Sequence, residues 1–232
     1  MGATEAFELP RPTAEDLEAA ALAWNTSHSR RLLPVGSTWW RVLRAGSAAE
    51  AVTFAQTSYA SDANHRFTPV YESGSIVPAA YAAQTRETAL WESVLRFVRH
   101  EGIRRIPRRE TRDRYLIEVK LTRDIQLLDI RRPCDMRLVA ATKRPPELSR
   151  AWPQAYVATR AWAQALLAHI PEIEGLIYES HQISASCAVL YQRSHAVAFA
   201  AVGAPLPVDA EPVRSMLEEL ADEAGAVVDF ED

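Results

Sequence analysis

Glycine is scarce in this chain, eight among 232 residues, and none of the eight falls into a GxGxxG or GxxxxGK[ST] pattern. Dinucleotide-binding and P-loop folds need such glycines for a tight turn and for close approach of backbone to phosphate, so the sequence argues against both. The six histidines form no HExxH or other ligand spacing, which leaves a zinc site without support. No GxSxG elbow is present either. Cysteine is rarer still. Cys134 and Cys187 stand far apart with no CxxC, the pattern of two reduced thiols.

Long apolar runs are also missing. The longest, Ala196 to Val202, falls far short of the ~20 residues that a membrane-spanning helix needs. The opening MGATEAFELPRPT has no basic region leading into an apolar stretch. Ala6 stands where a myristoylation signal requires Ser or Thr. A cytoplasmic protein without a membrane partner is the expectation. Charge is nearly balanced, with 26 Lys and Arg against 30 Asp and Glu, so no global field draws nucleic acid. The run RRIPRRETRDR (104 to 114) is a local exception. It reads as a solvated turn, because no aromatic residues alternate with its arginines and Glu110 and Asp113 offset part of the charge.

What is present suits a globular core: 48% of residues are hydrophobic and 24% charged. Thr13 starts a capping-box pattern with Leu17, Ala20, Ala21 and Trp24 on one helical face. Trp39 to Leu43 is rich in strand formers, and residues 44 to 76 read as long functional loops with room for one short helix. Ile76 to Ala83 reads as a strand with Pro78 at an edge or start, and Thr85 as the cap of a helix from Arg86 to Glu101, stopped by Gly102. Strands are expected at 115 to 121, 125 to 130, 175 to 180, 187 to 191 and 196 to 202. Helices are expected at 155 to 170 and 211 to 224. The fold class is α+β, a mixed or antiparallel β-sheet core flanked by helices. Residues 1–37 form an N-terminal helical extension packed on a domain of residues 38–232.

Within YAAQTRETALWE (81 to 92), Tyr81 sits at a strand end and Glu92 about two turns into the following helix. A strand-loop-helix unit needs no polar group at either place. By periodicity alone Glu92 is a surface residue able to pair with Arg96, four positions on, and Tyr81 is a core or edge tyrosine.

Four features in order, WWRV (39 to 42), HRFTP (65 to 69), AAYAAQTRETALWE (79 to 92) and EGLIYES (174 to 180), change that reading. Together they resemble the RES domain, a family of bacterial toxins paired with helix-turn-helix antitoxins. The resemblance runs from about Trp39 to Val202 and implies a fold similar to diphtheria-toxin-like ADP-ribosyltransferases. It implies NAD+ as substrate. Carried over by position, Arg41 and Arg66 face the substrate's phosphates, Tyr81 lies beneath the nicotinamide ring and Glu92 is the catalytic carboxylate. Ser180 is the serine that fixes a ribose or carboxamide. Tyr71, in a loop beside the same cleft, is the rival aromatic, and Arg44 competes with Arg41. His65 and His181 are read as bystanders. The implied activity is cleavage of the nicotinamide–ribose bond with water or inorganic phosphate as acceptor. ADP-ribosyl transfer and a non-catalytic binding module are the alternatives. No metal and no direct nucleic-acid contact are expected, and a homo-oligomer is compatible with the sequence.

The residue types suit that chemistry. Breaking the bond moves positive charge from the pyridinium onto the sugar, as in glycoside hydrolysis. A carboxylate facing that carbon stabilises charge where it develops. A tyrosine ring offers a π-face to the cationic base, and arginine forks suit a pyrophosphate.

Overall fold

The first helix, α1 (Ala14–Asn25), is held by a reciprocal capping box: the Thr13 side chain accepts from the Asp16 amide, and the Asp16 carboxylate accepts from the Thr13 amide. It buries Ala20 and Trp24. This computed structural model describes residues 11–26, 29–45, 47, 49, 65–96, 98, 104–131, 155–192 and 199–231. Cys134 lies outside them.

After α1 come β1 (Arg30–Leu33), β2 (Thr38–Arg44), β3 (Tyr71–Glu72), β4 (Ser75–Ile76), β5 (Ala79–Ala83) and α2 (Arg86–Trp91). Then follow β6 (Arg105–Ile106), a 3₁₀ turn (Arg108–Glu110), β7 (Arg114–Leu121), β8 (Ile125–Asp129) and α3 (Tyr156–His169). The chain continues with β9 (Gly175–Glu179), β10 (Ser186–Tyr191), β11 (Phe199–Pro207), α4 (Val213–Glu223) and β12 (Val227–Val228). Eight strands form one sheet in the order β1-β8-β9-β10-β5-β2-β7-β11. β8 and β9 run parallel, and the other neighbours run antiparallel. The α+β expectation with a mixed sheet holds.

Alternation along the strands builds two cores. On one face Leu116, Tyr178, Val189 and Tyr191 join Trp24, Leu90, Trp91, Trp162, Leu166 and Leu217 from the helices. On the other face Leu33, Trp39, Leu43, Ile117, Val119, Leu127, Ile177 and Phe199 cluster, with no helix residue joining them among the described residues. The segment set apart as an extension, residues 1–37, contributes both α1 and the edge strand β1 to this architecture.

Several elements differ from the sequence reading. The single strand at 76 to 83 is two: Ile76 closes a hairpin with Tyr71, and β5 begins only after Pro78. Ser73 and Gly74 turn that hairpin with φ of 51° and 79°. The helix from Arg86 ends at Trp91, and residues 92–96 are turn. Ser93 is the physical reason. Its hydroxyl donates to the Ala89 carbonyl at 2.6 Å, and the Leu95 amide reaches back five residues to Leu90. The arginine run is more ordered than a solvated turn, because β6 pairs with β12 and Arg105 bonds Asp229 at 2.5 Å.

One seam in the sheet positions everything that follows. β2 and β7 are paired along seven residues, but β2 and β5 meet through a single bridge, Trp40 to Ala83. Continued register would set Val42 opposite Tyr81. Instead the strands part.

Candidate active site

Between the parted strands lies a cleft of about 590 Å³. Residues from Trp40 to Arg44 of β2 and from Tyr81 to Ala83 of β5 line it, with Arg66, Glu92 and Arg96. Arg41 is 1% exposed, and its Nε donates to the Tyr81 carbonyl at 2.8 Å, spanning the gap that ladder bonds leave. A buried guanidinium needs such partners. Its Cζ also lies 5.6 Å from the Phe199 ring centroid.

The Tyr81 side chain is fixed from its far end. Its hydroxyl accepts from the Phe67 amide at 3.0 Å and lies 3.3 Å from the Thr68 hydroxyl. Burial pushes its pKa up to about 12, so the ring enters the cleft as a neutral phenol. His65 stacks on that ring, with centroids 5.6 Å apart and planes inclined by 25°.

Arg66 follows His65 and is buried. The Thr159 hydroxyl on α3 donates to its carbonyl, and the Tyr191 hydroxyl on β10 donates to the Phe67 carbonyl at 3.0 Å. The loop is thus stitched to a helix and a central strand. Tyr178, Tyr156 and Phe67 surround the Arg66 guanidinium at 5.1 to 5.9 Å from their ring centroids. Burial presses against its charge, but the Glu92 carboxylate, with Tyr156 and Tyr178, outweighs it and holds the pKa above its ordinary value. Arg66 stays cationic.

Glu92 is the C-cap of α2, and its amide bonds the Thr88 carbonyl at 2.9 Å. Still in helical register, Glu92 lines the cleft wall, and the chain leaves the helix only after it. The Ser180 hydroxyl donates to Glu92 Oε1 at 2.6 Å. Ser180 is 1% exposed and is not among the residues lining the cleft. Its proton goes to the carboxylate, where the family resemblance implies a ribose or carboxamide.

Arginine dominates the cleft electrostatically: Arg41, Arg44, Arg66, Arg96 and Arg114 stand against Glu92 and Glu110. That excess suits a polyanionic ligand. Burial raises the Tyr178 phenol and the Cys187 thiol well above their ordinary ranges, so Cys187 lines the cleft as a neutral thiol and not as a nucleophile. Among the described residues, no group of three His, Cys, Asp or Glu is placed to hold a metal ion.

Arg41, Arg66, Tyr81 and Glu92 therefore share one cleft, with Ser180 behind Glu92. Tyr71 does not join them. It is half exposed on the β3–β4 hairpin, its backbone bonded at both ends to the Gln164 side chain, and it lines no part of the cleft. His65 is the converse case, a bystander by sequence that stacks on Tyr81. Tyr156, Tyr178, Arg96, Glu110 and Arg114 also reach the cleft without having been singled out. Arg114 and Glu110 carried a signal, since both lie in the charged run and pair at 2.7 Å.

Comparison with known proteins agrees with this architecture. No curated protein matches the chain. A chain of the M. tuberculosis MbcT–MbcA toxin–antitoxin complex is similar with a TM-score of 0.57 and 13% identity, over 90% of this chain and 98% of that one. Likeness at that identity concerns the fold. The RES domain model matches residues 38–213, and this chain belongs to the RES domain family.

Proposed function

We propose that the protein cleaves the nicotinamide–ribose bond of NAD+ and acts as a toxin restrained by a partner protein. The observation that carries the reading is the convergence of the Glu92 carboxylate, the Tyr81 ring and the Arg41 and Arg66 guanidinium groups on one arginine-rich cleft. Arg41 and Arg66, with Arg44, Arg96 and Arg114 around them, neutralise the pyrophosphate. Tyr81, rigid and neutral, seats the nicotinamide through its ring. Glu92, oriented by the Ser180 hydroxyl, faces the ribose carbon and stabilises the oxocarbenium character that develops as neutral nicotinamide departs. No strong general acid is required for that leaving group. Water or inorganic phosphate then takes the sugar carbon.

Membership of the RES domain family and likeness to a chain of a toxin–antitoxin complex support the toxin reading. The family expectation for the partner is a helix-turn-helix antitoxin, acting in the cytoplasm. Among the described residues no helix is long and apolar enough to cross a membrane.

The deciding experiment incubates purified protein with NAD+, with and without inorganic phosphate, and measures nicotinamide. Release is expected, and a phosphorylated ADP-ribose product identifies phosphate as acceptor. ADP-ribose attached to protein in a lysate would redirect the reading to transfer. Binding without any release would leave a non-catalytic module.

A further inference from the structure

The turn after β9 carries a buried amide that its own fold does not need. The Ser180 amide bonds the Ala185 carbonyl at 2.8 Å, and the Ala185 amide bonds the Ile183 carbonyl at 2.7 Å, so the turn closes through its backbone. Gln182 is nonetheless 5% exposed. Its Nε2 crosses to the segment after α2 and donates to the Arg96 carbonyl at 2.7 Å. Burying an amide costs free energy unless it is hydrogen-bonded, and here the bond joins two elements far apart in sequence.

The same residue reaches Glu92 by a second route. The Gln182 backbone amide donates to Ser180 Oγ at 3.1 Å, which occupies acceptor capacity on that oxygen while its single proton points to Glu92 Oε1 at 2.6 Å. Glu92 sits past the last helical residue, followed by irregular turn up to Arg96, so no regular helical ladder fixes what comes after it. The Glu92 backbone is held by its helical bond to the Thr88 carbonyl at 2.9 Å, whereas its carboxylate and the turn beyond it take contacts from outside. The 180 to 185 turn supplies two, one at Glu92 itself and one four residues further on.

We infer that Gln182 is a positioning residue for Glu92, clamping the turn that carries the carboxylate and setting the hydroxyl that orients it. The inference rests on the reading of Glu92 as the catalytic carboxylate. Loss of the clamp leaves the substrate contacts of Tyr81 and Arg66 in place, so the damage falls on the chemical step.

The test measures kcat and KM for NAD+ cleavage in Gln182→Met, Ser180→Ala and the double variant, with a thermal melt of each. Gln182→Met keeps the unbranched shape and removes the donor. Its kcat should fall by about 10-fold to 10²-fold, the cost of an ångström-scale displacement, with KM nearly unchanged. Gln182→Met keeps the backbone bond to Ser180 Oγ and removes the side-chain clamp at Arg96. Because both contacts hold one carboxylate, the double variant should be slower than Ser180→Ala by less than the full loss seen in Gln182→Met alone. Wild-type kcat in Gln182→Met, or losses that simply add in the double variant, would overturn the inference. Should Gln182→Met not fold, Gln182→Glu substitutes an acceptor for the donor at the same size and faces the same two criteria. A wild-type protein that releases no nicotinamide defeats the proposed function instead, which separates the two failures.

Discussion

Arg41 Nε donates to the carbonyl of Tyr81 across 2.8 Å, so the guanidinium that lines the cleft also holds the strand that presents the aromatic ring. Two parts of the proposed site are one mechanical unit. Altering Arg41 therefore disturbs Tyr81, and a loss of activity there reports both charge and geometry.

Arg41→Lys tests that coupling. Lysine keeps the charge but lacks the planar fork, so it cannot reproduce the Nε bond while presenting donors to the cleft. NAD+ cleavage should drop by about 10²-fold, the scale of a small misplacement. Leaving the Tyr81 carbonyl under-satisfied should also lower stability by roughly 1–3 kcal/mol, read in a denaturant titration. Full activity with unchanged stability would contradict the coupling.

Glu92→Gln is the direct test of catalysis. The amide oxygen can still accept from Ser180 Oγ, so the melting temperature should stay within a few degrees of wild type. The turnover number should fall roughly 10²-fold or more, as for removal of one electrostatic stabiliser. Expression of this variant should also relieve growth arrest if NAD+ loss is the toxic event.

Tyr81 separates ring from hydroxyl. Tyr81→Phe retains the π-face and loses contacts with the Phe67 amide and Thr68, costing about 1 kcal/mol of stability with little effect on cleavage. Tyr81→Ala removes the platform and should weaken NAD+ binding by up to ~2 kcal/mol, roughly 30-fold in KM. Equal kinetics in the two variants would remove the stacking role.

Alkaline titration should destabilise the fold. Below pH 10.0 the Tyr81 phenol is protonated in folded and unfolded chains alike; between 10.0 and about 12 the unfolded chain releases a proton that the folded chain keeps. Stability is thus intact below that window and declines through it. Tyr178, Tyr191 and Cys187, all raised by burial, push the same way. Urea midpoints measured from pH 8 upward should fall more steeply in wild type than in Tyr81→Phe.

Gly175→Ala should be among the most damaging small substitutions. A Cβ there would stand 2.1 Å from the Val189 carbonyl oxygen, with Leu127 at 2.9 Å, at the β9–β10 pairing that delivers Ser180. Backbone must shift, and a loss of about 3 kcal/mol is expected from such overpacking.

The strands were legible because their burial follows a simple alternation: YLIEVKL divides into Leu116 on one core and Ile117 and Val119 on the other. The helix after Thr85 was legible at its start, where the cap is local, and not at its end. Ser93 interrupts the helix after Trp91 through its own hydroxyl and Val98 is helical again, while Gly102, read as the stop, lies outside the described residues. Glu92 keeps its helical bond to Thr88, so the wheel set it correctly off the apolar stripe; what periodicity alone did not reveal is that this polar side borders the cleft. Arg41 and Glu92 were recoverable only from motif order. His65 and Tyr156 were not recoverable at all, because their approach to Tyr81 and Arg66 depends on how loop and helix pack across the sheet.

The single Trp40–Ala83 bridge has a further consequence for how the molecule flexes. With only that rung and the Arg41–Tyr81 bond between them, β1-β8-β9-β10-β5 and β2-β7-β11 form two leaves joined along the most sparsely paired seam of the sheet. Arg41, Arg44 and Arg114 belong to one leaf, Tyr81 and Ser180 to the other. A dinucleotide laid across that line would act as the missing rungs, stiffening the sheet as it binds, so amide exchange along β2 and β5 should slow when substrate is present.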